Sequence, residues 1–317
     1  MKIVCIGAGA MGLRYGVLLQ EVGNDVQFVD TWEPNVEAIR KNKGVEVTRD
    51  GENPHLVPVK ICFPEEYHEE PELVIFFIKD MHTREVMERC IHFIGPKTHV
   101  LTNQNGWGGA EMLAEYVDRQ RIIAGTAMVA TVMKGPGKVD FVGARGTGHV
   151  HIVRVEGEPD AFIQRVADEM EKAQMHPTVA TDYRGTVWTK LVFNSVVNTL
   201  CTLMNVKMGQ FAEYEHAEDL ARRLLTEACA ATDAEGIQLE LDCEGLVKQV
   251  MYVSEVSNPL HYPSMHQDMS TNRPTEVDYL NGAIVKIAEK NGLKAPNHAV
   301  LVDLIHLKEA SRKYENA

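Results

Sequence analysis

The first thirty residues constrain the fold of this chain more strongly than any other stretch. An apolar run, Lys2–Ile6, leads into the turn Gly7-Ala8-Gly9-Ala10-Met11-Gly12, and residues 13–21 then have helical apolar spacing. A second apolar run, residues 26–29, ends on Asp30. This order of strand, glycine turn, helix, strand and acid is that of a dinucleotide-binding unit. The chain is therefore expected to begin with a Rossmann-like sheet.

Each glycine of this turn has a defined task in such a unit. Gly7 permits the tight turn, Gly9 lets a pyrophosphate approach the backbone, and Gly12 lets helix and strand pack closely. The start of the helix adds free N–H groups and the positive end of the helix dipole, which both favour an anion. The predicted cofactor-binding residues are Gly7, Ala8, Gly9, Ala10, Met11, Gly12 and Asp30.

Asp30 bears on which cofactor is bound. A carboxylate at this position accepts hydrogen bonds from a ribose 2′-hydroxyl but repels a 2′-phosphate. Neither Thr31 nor Trp32, which follow it, supplies a positive charge to offset that repulsion. NAD(H) is therefore favoured, and NADP(H) stays possible.

Length, charge and cysteine usage limit the class of protein. With 317 residues the chain is long enough for two domains, each with its own core. Its formal net charge of −13 argues against nucleic-acid partners and anionic membranes, since binding to phosphates depends on Lys and Arg. No apolar run is long enough to span a bilayer, and no signal peptide is recognisable. The six scattered cysteines indicate reduced core residues of a cytoplasmic protein without a metal site.

The pattern along the chain changes near residue 181. Before it, strand and helix patterns alternate, and residues 73–78 are apolar throughout, as expected of a central parallel strand covered on both faces. Other strands are predicted at 45–47, 57–62, 98–102, 122–132, 138–142, 148–153 and 177–180, helices at 36–43, 85–94 and 161–173, and a polar loop at 49–53. The fold class is α/β, with an N-terminal Rossmann-like doubly wound sheet in a dinucleotide-binding domain, residues 1–181. A C-terminal all-helical substrate domain, residues 182–317, follows it.

Two strand ends in the first domain carry polar residues. Lys79 follows the central strand, at the edge where open α/β sheets bind ligands, although it can equally be a solvated lysine at the start of a loop. The next strand runs into Asn103-Gln104-Asn105-Gly106. These amides can hold a nicotinamide or a carboxylate, or can serve only as turn residues.

Three polar residues recur at intervals of four within the otherwise apolar segment 185–204. Lys190, Asn194 and Asn198 form one stripe at about 100° per residue. The stripe is either the solvent edge of a packing helix or part of a site, because buried polar groups are costly without hydrogen bonds. In the second case partial burial lowers the pKa of Lys190, which can then donate the proton that carbonyl reduction requires.

These residues together resemble the ketopantoate reductase family over nearly the whole chain. The resemblance rests on the glycine turn, on residues 103–106, on a W-x-K-L-x-x-N-x-x-x-N pattern from Trp188 to Asn198, and on residues 264–282. The last segment is the most specific, although its acids alone fit a helix start equally well. The family reduces 2-dehydropantoate to D-pantoate with a nicotinamide cofactor, using a Rossmann domain and a helical domain.

The resemblance also implies roles for individual residues. Lys190 would be the proton donor, and Glu276 would hydrogen-bond the nicotinamide ribose. The Glu276 carboxylate would also keep Lys190 charged and so oppose the effect of burial. The residues implied to contact substrate are Asn194, Asn198 and Ser264, and those implied on the cofactor side are Lys79 and Asn105.

Two departures from the family pattern leave the substrate open. Asp30-Thr31-Trp32 stands where NADP(H)-dependent members usually carry a basic residue, and His261, Tyr262 and His266 make the surroundings of Ser264 bulkier than expected. Both lean towards relatives that are NAD-dependent D-2-hydroxyacid dehydrogenases of the D-mandelate type. The roles of the two histidines are not assigned.

Two other functions compete with a 2-oxo acid reductase. A β-hydroxyacid dehydrogenase would share the glycine turn and a Lys-x-x-x-Asn pair, but residues 264–282 argue against it. A non-catalytic NAD(H)-sensing protein would not need Lys190 and Glu276. The apolar helices of the second domain make a homodimer plausible.

Overall fold

The protein, as a computed structural model described over residues 1–315, divides into two compact units. The first unit comprises residues 1–104 and 108–183, and the second comprises residues 105–107 and the chain from Arg184 onward. The tripeptide 105–107 thus belongs to the second unit although the residues on either side of it belong to the first. Each unit has its own apolar core.

Parallel strands form the centre of the first unit. The strands are β1 Lys2–Ile6, β2 Asp25–Val29, β3 Val45–Arg49, β4 Glu52–Val57, β5 Lys60–Cys62, β6 Leu73–Phe76, β7 His99–Thr102, β8 Ile122–Ala127, β9 Ala130–Gly135, β10 Lys138–Val142, β11 Val150–Arg154 and β12 Pro177–Ala180. Eight of them form one sheet in the order β12-β11-β8-β7-β6-β1-β2-β5. Its pairs are parallel except β8 with β11. This confirms the predicted Rossmann-like α/β fold.

The central position of β6 follows from its sequence. All four of its residues are at most 1% exposed, which only a strand covered on both faces achieves. The helices of this unit are α1 Ala10–Glu21, α2 Glu33–Asn42, α3 Thr83–Cys90, α4 Gly109–Leu113 and α5 Ala161–Lys172. Apolar residues of α1 and α5 pack in one core with those of the sheet.

A second, four-stranded sheet in the order β4-β3-β10-β9 was not predicted. Of the polar stretch 49–53, predicted to be a loop, only residues 50 and 51 form a turn, because Arg49 ends β3 and residues 52–53 begin β4. The strand predicted at 57–62 is divided between β4 and β5. Five of the six residues of β4 are exposed, so the strand carries none of the apolar alternation by which a half-buried strand is recognised. The segments predicted at 138–142 and 148–153 lie in different sheets.

The second unit is helical throughout its described part. Its helices are α6 Tyr183–Met204, which begins one residue before the unit, α7 Met208–Ala212, α8 Ala217–Ala234, α9 Cys243–Tyr252, α10 Ser264–Ser270, α11 Asn281–Lys290 and α12 Pro296–Glu315. Val192 and Val196 of α6 have no exposed surface, which makes α6 an interior helix of this unit. None of the helices within residues 1–315 is both long and apolar enough to cross a membrane.

Candidate active site

The glycine turn between β1 and α1 has the geometry that its sequence predicts. Gly7 has a φ of 94°, and a Cβ added to it would lie 2.4 Å from the Phe77 carbonyl oxygen. A Cβ on Gly12 would lie 1.8 Å from the Gly7 oxygen, so the helix can approach the strand only with glycine there. A Cβ on Gly9 would meet no atom within 4 Å. Open space therefore lies beside Gly9, at a helix start whose N-cap residue forms no side-chain hydrogen bond.

Asp30 lies at the end of β2 and is only 7% exposed. One of its carboxylate oxygens accepts hydrogen bonds from the Ala8 N–H at 2.9 Å and from the Asn35 side-chain amide at 3.2 Å. The other accepts from the Trp32 N–H at 3.0 Å. A carboxylate offers about four acceptor positions. Asp30 thus fixes the glycine turn and retains capacity for about one further donor.

The amides that follow β7 have different partners from one another. Asn103 donates to the Tyr15 hydroxyl at 3.0 Å, and Gln104 donates to the Ile78 oxygen and the Thr83 hydroxyl, both at 2.8 Å. The Asn103 amide thus joins the loop after β7 to α1, and the Gln104 amide joins it to the segment after β6, all within the first unit. Lys79, which lies in the first unit, is half-buried and immediately precedes a 3₁₀ turn at Asp80–His82.

Asn105 lies in the second unit, within a tripeptide that is tightly fixed there. The Trp107 N–H donates to the Tyr279 carbonyl oxygen at 2.9 Å, and the Trp107 ring centroid lies 5.5 Å from that of Trp188. Gly106 has a φ of 93°, and a Cβ on it would lie 2.4 Å from the same Tyr279 oxygen. The tripeptide is therefore held against the segment that also contains Glu276.

The polar stripe of α6 is partly buried. Lys190 and Asn194 are half-buried, and Asn198 is 4% exposed. The Asn198 side-chain amide donates to the Ser264 hydroxyl at 3.4 Å, which links α6 to the start of α10. The structure thus brings together Asn198 and Ser264, two of the residues implied to contact substrate.

Lys190 and Glu276 influence each other electrostatically. Burial lowers the pKa of Lys190 to about 8, and the negative charge of Glu276 acts in the opposite direction. Glu276 is 6% exposed and directly precedes the 3₁₀ turn Val277–Tyr279. Burial is the larger of the two effects, so the pKa of Lys190 stays below that of a lysine in water.

Asn281 has a structural role in the second unit. The sequence alone assigned it no role. Its side-chain amide is fully buried and donates to the Ser195 carbonyl oxygen at 3.0 Å, next to Asn194 on α6. It also lies 3.1 Å from a ring nitrogen of His298, whose other nitrogen lies 3.0 Å from the Leu224 oxygen. These contacts fix α6 to α8, α11 and α12. An asparagine at the start of an apolar helix was the available signal, but it equally suits a turn.

The two unassigned histidines have local partners. The His266 ring stacks on Tyr262 at 4.1 Å, and its Nε2 lies 2.7 Å from the Asn205 side-chain oxygen. Burial lowers the pKa of His261. Within the described residues, no group of three or more His, Cys, Asp and Glu is arranged to hold a metal ion.

Comparisons with known proteins agree with the fold. The family model described as "Ketopantoate reductase PanE/ApbA" matches residues 3–154, and the model of its C-terminal part matches residues 182–309. A 2-dehydropantoate 2-reductase from Streptococcus pyogenes is 32% identical over 311 residues, which is 98% of each chain. One from Lactococcus lactis is 29% identical over 316 residues, again 98% of each.

Solved structures are similar over the same length. A ternary structure of D-mandelate dehydrogenase with NADH and anilino(oxo)acetate has a TM-score of 0.92 at 29% identity, covering 98% of this chain and 99% of that one. A ketopantoate reductase from Ralstonia eutropha JMP134 has a TM-score of 0.87 at 27% identity, covering 99% and 100%. The family models, the full-length relatives and the shared fold together show that this chain belongs to the ketopantoate reductase family and is an NAD(P)-dependent oxidoreductase.

Proposed function

We propose that this protein reduces a 2-oxo acid branched at C3, with 2-dehydropantoate the first candidate, to the D-2-hydroxy acid, using NADH and Lys190 as general acid. The observation that carries the proposal is the state of Lys190. The residue is half-buried on α6, and its amine has a pKa of about 8. An acid whose pKa lies near the working pH is the kind that transfers protons efficiently.

The first unit has the features that a dinucleotide requires. The open space at Gly9 and the uncapped start of α1 suit a pyrophosphate, because helix N–H groups and the helix dipole both stabilise negative charge. The remaining acceptor position of Asp30 suits a ribose 2′-hydroxyl. When bound, the reduced nicotinamide supplies the hydride. Lys79 and Asn105 would contact the cofactor, and Glu276 would accept a hydrogen bond from the nicotinamide ribose.

The residues of the second unit would perform the remaining steps. Asn194, Asn198 and Ser264 would donate hydrogen bonds to the substrate carboxylate and carbonyl, and so orient the ketone. Lys190 would transfer its proton to the carbonyl oxygen as negative charge develops there, which stabilises the transition state. Glu276 would favour the charged amine before transfer. In the reverse direction the neutral amine would accept the proton of the hydroxy acid.

A second candidate substrate is an aryl 2-oxo acid of the benzoylformate type. Two features support it. The first is Asp30, which favours NAD(H) because no basic residue stands at positions 31 and 32. The second is the pair of stacked rings of Tyr262 and His266, which lie in the same short stretch as Ser264. The D-mandelate dehydrogenase with a TM-score of 0.92 was solved with NADH.

A comparison of substrates tests the proposal. We expect NADH oxidation with at least one of 2-dehydropantoate, 2-oxoisovalerate and benzoylformate, and a higher kcat/KM with NADH than with NADPH. The compound with the highest kcat/KM decides between the two candidates. Tight binding of NADH without turnover of any branched 2-oxo acid would contradict the proposal.

We also propose that the protein is a homodimer joined through α12. Val300, Leu304 and Leu307 recur at helical spacing on this helix and are 55%, 42% and 65% exposed. Such an apolar row on a surface helix is costly in water unless it is covered. A second copy of the chain would cover it.

A further inference from the structure

Three arginines surround a recess in the first unit that the proposed reaction does not use. The recess is small, with a cavity volume of about 20 Å³, and it opens to solvent. The residues of its lining that carry the argument are Arg14, Tyr15, Arg49, Arg145 and Gln174. None of the six residues of the glycine turn lines it. The recess is therefore separate from the predicted pyrophosphate position.

Arg14 is the most deeply buried of the three, with 5% of its surface exposed. Its guanidinium donates to the Ala130 oxygen at 2.8 Å, to the Val142 oxygen at 3.3 Å and to the Thr131 hydroxyl at 3.4 Å. All three acceptors are uncharged. Burial lowers the pKa of Arg14, and the positive charge of Arg49 lowers it further.

Arg49 reaches the same place from β3. Its guanidinium donates to the Gly143 oxygen at 2.8 Å and lies 5.8 Å from the centre of the Phe141 ring, which the Arg14 guanidinium approaches at 5.3 Å. Within the described residues, neither guanidinium has a carboxylate oxygen within 4.0 Å. Two cations thus share one aromatic ring without an ion-pair partner.

Arg145 completes the set but is already paired. It donates to the Gln174 side-chain oxygen at 2.8 Å and forms an ion pair with Glu21 at 2.9 Å. Asp50, the neighbour of Arg49, accepts a hydrogen bond from the Gly143 N–H at 2.7 Å. Glu21 and Asp50 offset part of the positive charge of the recess. The hydrogen-bond partners of the buried Arg14 are nevertheless uncharged.

We propose that this recess binds the phosphate group of a small molecule, or free inorganic phosphate, between Arg14, Arg49 and Arg145. A buried cation is costly unless it is paired, and a dianion would supply the missing charge. The guanidinium fork matches phosphate oxygens in geometry. Tyr15 links the recess to the end of β7 through its hydrogen bond with Asn103.

Calorimetric titration of the full chain tests this proposal. Inorganic phosphate and glycerol 3-phosphate are titrated separately at constant ionic strength, with and without saturating NADH. At saturating NADH we expect one anion per chain, because the cofactor occupies the glycine turn and leaves the recess free. Tighter binding of glycerol 3-phosphate would identify a phosphorylated metabolite as the ligand, and equal or tighter binding of inorganic phosphate would identify the free anion.

Variants assign the bound anion to the recess. Arg49→Gln and Arg145→Gln are each expected to weaken phosphate binding about tenfold or more, since each removes a charged hydrogen bond. Arg165→Gln is the matched control, because Arg165 is an exposed arginine of the same unit that pairs with Glu72. NADH affinity and circular dichroism monitor folding. Absence of phosphate binding, its loss when NADH is added, or equal affinity in Arg49→Gln and wild type would each overturn the proposal.

Discussion

At the scale of single residues, Lys190 shows how the surroundings of a side chain change its pKa. A lysine in water holds its proton far above neutral pH, whereas burial of Lys190 lowers its pKa to about 8. The neighbouring Glu276 limits this fall. In the proposed mechanism, these two effects together set the pH range in which Lys190 donates a proton.

Removal of the amine is the most direct prediction. Lys190→Ala is expected to lower kcat by about a hundredfold or more, because positioned acid catalysis is typically worth that factor. NADH affinity should change much less. Lys286→Ala, at an exposed lysine of α11, is the control and should behave as wild type. Near-normal turnover by a folded Lys190→Ala protein would remove Lys190 from the mechanism.

The pH profile provides a second prediction. Ketone reduction needs the protonated amine, so its kcat/KM should be level at low pH and fall as pH rises through about 8. Oxidation of the hydroxy acid needs the neutral amine and should rise through the same pH. In Glu276→Gln both limbs should move to lower pH, because the charge that raises the pKa is lost. The exposed Asp278→Asn is the control, and an unshifted profile in Glu276→Gln would exclude this coupling.

Cofactor preference should respond to the position beside Asp30. Asp30 itself is a poor position to change, because its carboxylate also fixes the glycine turn. Thr31→Arg adds a positive charge and leaves those bonds intact, so kcat/KM with NADPH relative to NADH should rise about tenfold or more. Thr31→Gln adds length without charge and should leave the ratio near that of wild type. An unchanged ratio in Thr31→Arg would show that this position does not face the 2′ group.

At the scale of elements, two glycines of the turn from β1 into α1 are needed for different reasons. Gly12 is needed for close packing, whereas Gly9 is expected to leave space for the cofactor. Gly12 is glycine because the Gly7 oxygen leaves no room for a Cβ. Gly9 has space around it and a φ of −75°, which any residue can adopt. The same substitution at the two positions should therefore have different consequences.

This contrast is a further prediction. Gly12→Ala should destabilise the protein by about 1–3 kcal/mol, as expected when a well-packed contact is overfilled. Gly9→Ala should leave thermal stability close to that of wild type but weaken NADH binding about tenfold or more, because the methyl group occupies the space for the pyrophosphate. Thermal denaturation and NADH fluorescence titration measure the two effects. Equal NADH affinity in Gly9→Ala and wild type would place the pyrophosphate elsewhere.

The sequence predicted the elements whose pattern reflects their burial. The helix predicted at 161–173 agrees with α5 to within one residue, and the apolar run beginning at Leu73 contains β6. The sequence did not predict β4, because an exposed strand has no apolar period. It also did not predict α10 as a separate helix. Among site residues, the stripe on α6 was visible by spacing. The contacts of Asn103, Gln104 and Asn281 could not be predicted, because a sequence does not distinguish an amide in a turn from an amide in a hydrogen-bond network.

At the scale of the whole molecule, the exposed apolar row on α12 yields a prediction about assembly. We expect light scattering after size exclusion to give a mass of twice 35.4 kDa for the wild type. Replacing both Leu304 and Leu307 by Glu should shift the mass towards that of one chain, since charges in an apolar interface are costly to bury. Leu56→Glu changes an exposed leucine of β4 and is the control. A monomeric wild type would contradict the proposed dimer.

The tripeptide 105–107 has a consequence for protein engineering. Its sequence neighbours fold with the sheet, yet Gly106 and Trp107 fit closely against Tyr279 of the helical unit. A chimera that joins the amino-terminal half of one relative to the carboxyl-terminal half of another would therefore bring a foreign tripeptide into the helical unit. Successful recombination within this family should transfer these three positions together with the carboxyl-terminal half.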